Sequence, residues 1–458
     1  MIYRENNSIR LLSSGQESYE VRWKILSNAR SSIHLATFSF MKDKTTRKLF
    51  DLLKEKKKSG VDVRIIYDEI VNRTTFVGGW IRELQKEGIE VYGYNSIKDG
   101  WFLDFNKKHP FRWLKKIAKR KLKQHFHEKY LIVDNQHLII GGNNWGDKYA
   151  FGGIEPKAWR DTDVYITGET VRDVQLQFLR DCEMQKEWSI QKKKRMYYSD
   201  FSQAYLSTYQ NDEGVISKYS ELFSNIPPVL NLDRKSNISF MAHKPYEENE
   251  LKLTNYFLNE IINSNSRIYW GCHGIRPPKI FTEHLIAAAN RGVKVVLITN
   301  SKMSSKTLMA GGLLGWMYKE CSKHFKALLE NGVEIHEWQK PGAFHSKSLV
   351  VDEDMVSIGS YNIASGSAFN HSESNVIVKN KEFCNEVFQQ FKVDLKSCVK
   401  LDIGKYNFPK ENAFERKIQE RNDMLSDEVL TESIRHGIQK RNFEESSKDD
   451  FFDVWMEY

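Results

Sequence analysis

The sequence predicts an α/β fold built from two similar units, and three observations carry that expectation. A histidine, a lysine two residues on and an aspartate five further occur twice, in HFHEKYLIVD (125–134) and in HSKSLVVD (345–352). The stretches around the two copies also correspond. Finally, each copy follows strand-like and helix-like runs in alternation, the pattern of an α/β unit.

In the first unit ARSSIHLATFSF (29–40) reads as a strand, LFDLLKEKKK as a helix closed by Gly60, and SGVDVRIIYDE (59–69) as the next strand. A second helix closes at Gly88 before KEGIEVYGYN (86–95). The second unit answers in order with SNSRIYWGCHGI (264–275), LIAAANR before Gly292, RGVKVVLITNS (291–301), a helix closed by Gly332, and ENGVEIHEWQ (330–339). The glycines stand where a helix turns into a strand through a left-handed residue. With six residues between, each aspartate is followed by Gly141-Gly-Asn-Asn144 or Gly359-Ser-Tyr-Asn362. A carboxylate follows in each copy, Asp161 and Glu373, leading into VYI and VIV. The expected division is a first half over 1–190, a connecting segment over 191–250 that includes a KKKR cluster, a second half over 251–400, and a charged helical tail over 401–458.

With 40% hydrophobic and 12% aromatic residues the chain is globular rather than disordered. Five scattered cysteines without a C-x-x-C pair exclude a disulfide framework and a zinc knuckle. The opening residues lack a signal-peptide pattern, and no apolar run reaches the ~20 residues of a transmembrane helix. The formal charge is +9, yet from Lys405 onward 9 Lys/Arg face 13 Asp/Glu, which leaves about +13 on the body. A basic body favours a polyanionic partner, nucleic acid or an anionic membrane.

The doubled H-x-K-x(4)-D pattern with its following G-S-x-N resembles the phospholipase D superfamily. A closer resemblance, over roughly residues 10–400, is to bacterial cardiolipin synthases of the C type. It rests on GGNNWGDKYAFGG, RGVKVVLITNS and GSYNIASGSAFNHSES. The resemblance implies two phospholipase D-like α/β sandwich units forming a pseudo-two-fold dimer within one chain, with the active site at their interface. It implies a catalytic set of His127, Lys129, Asp134, His345, Lys347 and Asp352, in which the two aspartates are more structural than chemical. Phosphate binding falls to Lys129, Lys347, Asn144 and Asn362, and orientation of the histidines to Asp161 and Glu373. One histidine, with His127 preferred, attacks phosphorus, while the other, His345, serves as acid and base. One departure is Gly142, which stands where the second copy has Ser360, so a hydroxyl donor is missing there. No cofactor and no metal are expected, because His125-x-His127 has no third ligand of suitable spacing and no P-C-x-x-C partner.

The superfamily includes nucleases and hydrolytic phospholipases, and the motif alone does not choose among them. The insertions help. Gly88 to His127 spans 39 residues against 13 from Gly332 to His345. The extra residues include 107–123, with nine Lys/Arg, no acid, and Phe111, Trp113, Leu114, Ile117 and Leu122 interleaved. This is the pattern of an interfacial helix on anionic lipid. In the second half the extra residues fall around LMAGGLLGWM (308–317), apolar and glycine-rich. The expected activity is therefore phosphatidyl transfer forming cardiolipin from phosphatidylglycerol and a phospholipid donor, with hydrolytic phospholipase D or a nuclease as alternatives. The expected partners are phospholipids and an anionic membrane surface, reached from the cytoplasmic side as a peripheral protein. Nucleic acid is disfavoured, and no obligate oligomer is expected.

Overall fold

The computed structural model describes residues 1–94, 124–194, 212–224, 235–245, 251–305, 314–406 and 408. The basic segment 107–123, most of 308–317 and nearly all of the 401–458 tail lie outside the described residues.

Two sheets form the frame. The first half contributes β1 (Asn7–Leu12), β2 (Ser32–Thr37), β3 (Asp62–Asp68), β4 (Glu90–Tyr94), β5 (His125–Phe126), β6 (Tyr130–Val133), β7 (His137–Gly141) and β8 (Asp163–Gly168). The remainder contributes β9 (Asn237–His243), β10 (Arg267–Gly271), β11 (Lys294–Asn300), β12 (Glu334–Trp338), β13 (Ser348–Val351), β14 (Met355–Gly359), β15 (His371–Lys379) and β16 (Cys398–Lys400). The first sheet runs β1-β8-β7-β6-β2-β3-β4, and the second runs β16-β12-β11-β10-β13-β14-β15-β5 with β9 also on β15. Within them β8-β7-β6-β2-β3-β4 is repeated as β15-β14-β13-β10-β11-β12. In both copies the first three strands in sequence are parallel and the last three antiparallel.

The α/β alternation follows from the local signals. The helix Lys44–Lys58 is capped by the Asp43 side chain on the Thr46 amide, and its chain turns at Gly60 with φ +91°. Gly88, Gly292 and Gly332 have φ of +77°, +89° and +82°, a region a side chain rarely adopts. Strand residues alternate between two cores. Tyr130 and Ile132 of β6 face an inter-sheet core shared with Val350, Val356 and Val376, whereas Leu131 and Val133 face the first half's own helices. That shared core also holds Phe178 of the helix Glu169–Lys194 and Phe391 of the helix Lys381–Leu395.

One strand falls within the segment expected to connect the halves. β9 lies inside the 191–250 segment, yet it pairs antiparallel with β15 over seven residues, as β1 pairs with β8. The second repeat therefore opens at β9. Its pairing partner is 130 residues away in the chain, so no local signal marks it.

Asp134 and Asp352 stand at the ends of β6 and β13 opposite the histidines, and they do not join the site. Asp134 accepts hydrogen bonds from the amides of Arg30, Ser31 and Ser32. Asp352 does the same for Asn265, Ser266 and Arg267, at 2.7–3.1 Å. Each carboxylate thus clamps the start of the neighbouring parallel strand while its own backbone takes a positive φ, 54° and 53°. The amide bonds, outweighing the upward push of burial, hold the Asp352 carboxyl below its ordinary value. Its contribution is present above about pH 4 and is lost as pH falls further. Replacing Asp352 by Ala should lower the unfolding free energy by about 1–3 kcal/mol at pH 7, and by less at pH 3, in denaturant titrations. An equal loss at both pH values would contradict the charged clamp.

Candidate active site

His127 and Lys129 lie two residues apart in extended chain, so both side chains point to the same side, and Glu128 points to the other. His345, Ser346 and Lys347 repeat the arrangement. Both histidines lie at the end of the sheet where the parallel strands β2 and β10 terminate, the crevice where α/β sheets ordinarily bind ligands.

Each histidine pairs with a carboxylate of the other half. His127 Nδ1 is 2.8 Å from Glu373 Oε2, and His345 Nδ1 is 2.6 Å from Asp161 Oδ2. The backbone repeats the exchange, because the His127 amide donates to the Ser372 carbonyl at 2.9 Å and the His345 amide to that of Arg160 at 2.7 Å. Lys129 and Lys347 each donate from Nζ to the carbonyl of the histidine two residues back. All six side chains are buried.

Burial depresses both imidazoles well below their ordinary range. Burial likewise brings Lys129 down to about 7 against the pull of Glu373. The carboxylates diverge. Burial pushes Glu373 up, but His127 outweighs it, with help from His371, and Glu373 stays anionic. Its other oxygen accepts from Ser367 Oγ at 2.5 Å. Asp161 is raised by burial to about 7 despite Lys347.

The asparagines are placed less directly. Asn144 accepts from the Ser39 amide and donates from Nδ2 to Tyr149 at 2.8 Å, so its nitrogen is turned to the tyrosine whose ring meets His345 edge-on. Asn362 Oδ1 is held by His273 Nδ1 at 3.1 Å and by the Cys272 thiol.

The residues matched by the family described as "Cardiolipin synthase, PLD-like domain" are 23–182 and 258–395, one segment for each half of this site. The chain belongs to that family. Among curated relatives of this PLD-like chain, cardiolipin synthase 2 of Bacillus anthracis is 25% identical over 87% of the chain and 66% of its own length. Cardiolipin synthase of Clostridium perfringens is 24% identical over 88% and 74%. The chain thus spans just under two thirds of the first of these relatives. A phosphatidylserine synthase of Haemophilus influenzae shares the fold, with a TM-score of 0.63 over 94% of this chain and 96% of that one at 12% identity.

In this PLD-like chain the missing serine at position 142 has a structural answer. A Cβ on Gly142 would lie 2.0 Å from Asp161 Oδ1. That oxygen accepts the Thr162 amide at 2.8 Å, as Ser360 Oγ accepts the Ser374 amide at 2.9 Å in the second half. The shorter aspartate has folded back into the space of the hydroxyl and taken over its acceptor role. Glu373, one methylene longer, leaves that space to Ser360.

Several neighbours escaped the sequence reading. Phe38 and His273 occupy equivalent ends of β2 and β10, and their rings lie 4.7 and 5.5 Å from His127 and His345. Trp159 and His371 each precede the carboxylate by two residues and flank the opposite histidine. Asn300 pins the His273 and Phe344 carbonyls at 2.7 Å. Matching of the repeats passes over these positions because the two copies carry different residue types. Glycine and aspartate, by contrast, form a matched pair. Gly142→Ser alone should cost about 1–3 kcal/mol by overpacking against Asp161. Adding Asp161→Glu should recover at least half of the lost melting temperature, and a double variant no more stable than the single one would contradict the matched pair.

Proposed function

We propose that the chain is a phosphatidyltransferase forming cardiolipin from phosphatidylglycerol and a phospholipid donor through a phosphohistidine. The exchange of carboxylates between halves carries the reading, because it aims two imidazoles and two lysines at one crevice. The names of the curated relatives fit it. With Nδ1 protons held by Glu373 and by Asp161, each imidazole presents Nε2 to the crevice.

The two dyads are suited to different roles. Glu373 is anionic, so His127 is the neutral, oriented nucleophile. The His345–Asp161 pair, with Asp161 at about 7, stores one proton at neutral pH. In the first step His127 Nε2 bonds to phosphorus, the P–O bond to the leaving alcohol breaks, and the pair's proton passes through His345 to the departing oxygen. In the second step the acceptor hydroxyl gives its proton back to His345 and attacks phosphorus, and the P–N bond breaks. Lys129, Lys347, Asn144 and Asn362 are the assigned phosphate ligands, offsetting charge as the transition state forms. Water in place of the acceptor gives phosphatidic acid, the hydrolytic alternative. Residues 1–190 and 251–400 serve as the two halves, with β9 added to the second.

His127→Ala and His345→Ala should each remove nearly all turnover of phosphatidylglycerol vesicles, with diphosphatidyl lipid or phosphatidic acid as the wild-type product. A tenth of wild-type turnover in either variant would refute the shared site, and rapid cutting of single-stranded DNA abolished by His345→Ala would favour a nuclease. The rate of leaving-alcohol release should fall as pH rises through about 7, where the Asp161 proton is lost. With a p-nitrophenyl leaving group, which needs no proton, this fall should flatten. An unchanged alkaline limb would place the titration on Lys129 instead.

Membrane attachment rests on sequence, since 107–123 is outside the described residues; no described helix is long and apolar enough to cross a bilayer. We assign that segment to docking on an anionic surface, with the enzyme peripheral on the cytoplasmic side. Replacing Lys115, Lys116, Lys119 and Arg120 by Gln should weaken vesicle binding by up to ~1 kcal/mol per charge at low salt, and by less at high salt. Equal sedimentation of variant and wild type with phosphatidylglycerol vesicles at low salt would rule docking out.

A further inference from the structure

The site contains a third imidazole that the transfer chemistry leaves unused. His371, at the start of β15, directs Nδ1 toward Glu373 Oε1, and at 3.7 Å the two are beyond hydrogen-bond reach. That nitrogen is buried and has no hydrogen-bond partner. His127, on the far side of the same carboxylate, lies 2.8 Å from Oε2. One ligand atom from each of His127, His371 and Glu373 can be chosen so that all three lie within 4.8 Å of one another.

We propose that His127, His371 and Glu373 form a binding site for a borderline transition-metal dication, with Zn²⁺ as its best fit, and that the occupied site is inhibited. Two imidazoles and a carboxylate are a zinc donor set that leaves a fourth position for water. Zinc–ligand bonds of about 2.0–2.2 Å in a tetrahedron place donor atoms roughly 3.4 Å apart. His127 lies 2.8 Å from one Glu373 oxygen and His371 3.7 Å from the other, and with the three donors within 4.8 Å of one another the side chains must draw together to reach that figure. Glu373 supplies a carboxylate with one oxygen toward each imidazole, the hard donor that completes the set. The ion replaces the proton on His127 or occupies its lone pair, and draws Glu373 away from orienting it. Calcium and magnesium prefer all-oxygen shells and should not compete.

Among the described residues the other half has no such group of donors. The position equivalent to His371 is Trp159, and among the described residues His127, His371 and Glu373 are the one group of three such donors close enough together. The place of His371 also depends on Gly366, because a Cβ at that position would lie 2.7 Å from the imidazole Cε1.

Titration calorimetry of the full chain with ZnCl₂, with metal content measured after gel filtration, tests binding without any lipid. One zinc per chain is expected, with affinity reduced at least tenfold in both His371→Gln and Gly366→Ala. The second variant keeps all three ligands and only displaces one. Zinc retained equally by wild type and both variants, or none retained by wild type, overturns the site. The inhibitory part rests on the proposed transferase role. Zinc should suppress turnover of a soluble phosphodiester, a chelator should restore it, and Ca²⁺ should have no effect. Full turnover by chain shown to carry zinc overturns that part while leaving the transferase reading intact.

Discussion

Neither half of this chain can complete its own active site. An imidazole, a lysine and a carboxylate buried together are tolerable only when each is paired, because an unpaired buried charge costs far more than its partner's packing returns. Here the pairing crosses the interface, His127 to Glu373 and His345 to Asp161. The backbone bonds beside them cross in the same sense. Separating the halves would part each histidine from its carboxylate and expose the valine- and isoleucine-rich core between the sheets. Site and interface are thus held by the same contacts.

A second layer of buried ion pairs reinforces the exchange, and its chemistry differs on the two sides. Arg160, beside Asp161, makes a bidentate pair with Asp394 of the helix Lys381–Leu395 at 2.7 and 2.8 Å. At the equivalent place Ser372 donates to Glu128, which also takes Lys244 Nζ at 2.7 Å, and Lys244 reaches Asp181 of the helix Glu169–Lys194 at 3.0 Å. Removing one member of such a group leaves a buried charge exposed to apolar surroundings, a loss of about 3–5 kcal/mol. Both networks lie on the side of the catalytic strand that faces away from the crevice. They fix the strand while leaving the histidine and lysine side chains to the ligand.

Much of this was legible in the sequence because the repeat made it so. The doubled motif pointed to four side chains of the central cluster and the carboxylate following each copy to the other two, and Gly60, Gly88, Gly292 and Gly332 marked the helix ends where the backbone does turn left-handed. Two things were hidden. The opening strand of the second half, β9, is recognisable only through its pairing with β15 across more than a hundred residues. Which carboxylate serves which histidine is a property of the interface, and the linear order suggests the opposite pairing. Asp134 and Asp352 share the motif's spacing with the histidines, yet a four-residue strand carries them to its other end, where strand-start amides take their oxygens. Spacing records what lies on one strand but not which end faces the crevice.

In the proposed transferase, the departures from symmetry are what suit the two dyads to different roles. A duplicated site starts with equivalent histidines, and equivalent histidines would each be as ready to attack phosphorus as to protonate the leaving group. Glu373 has three polar neighbours, His127, Ser367 and His371, and it remains an anion. Asp161 has spent one oxygen on the Thr162 amide, in the space that Gly142 leaves open, and lies among Trp159, Tyr149 and the buried strand, so its proton is retained near pH 7. The loss of one methylene at position 161 and of one hydroxymethyl at position 142 are therefore a single change. Under the transfer mechanism proposed above they make Asp161 the proton store, which a site assembled from two identical chains could not do on one side alone.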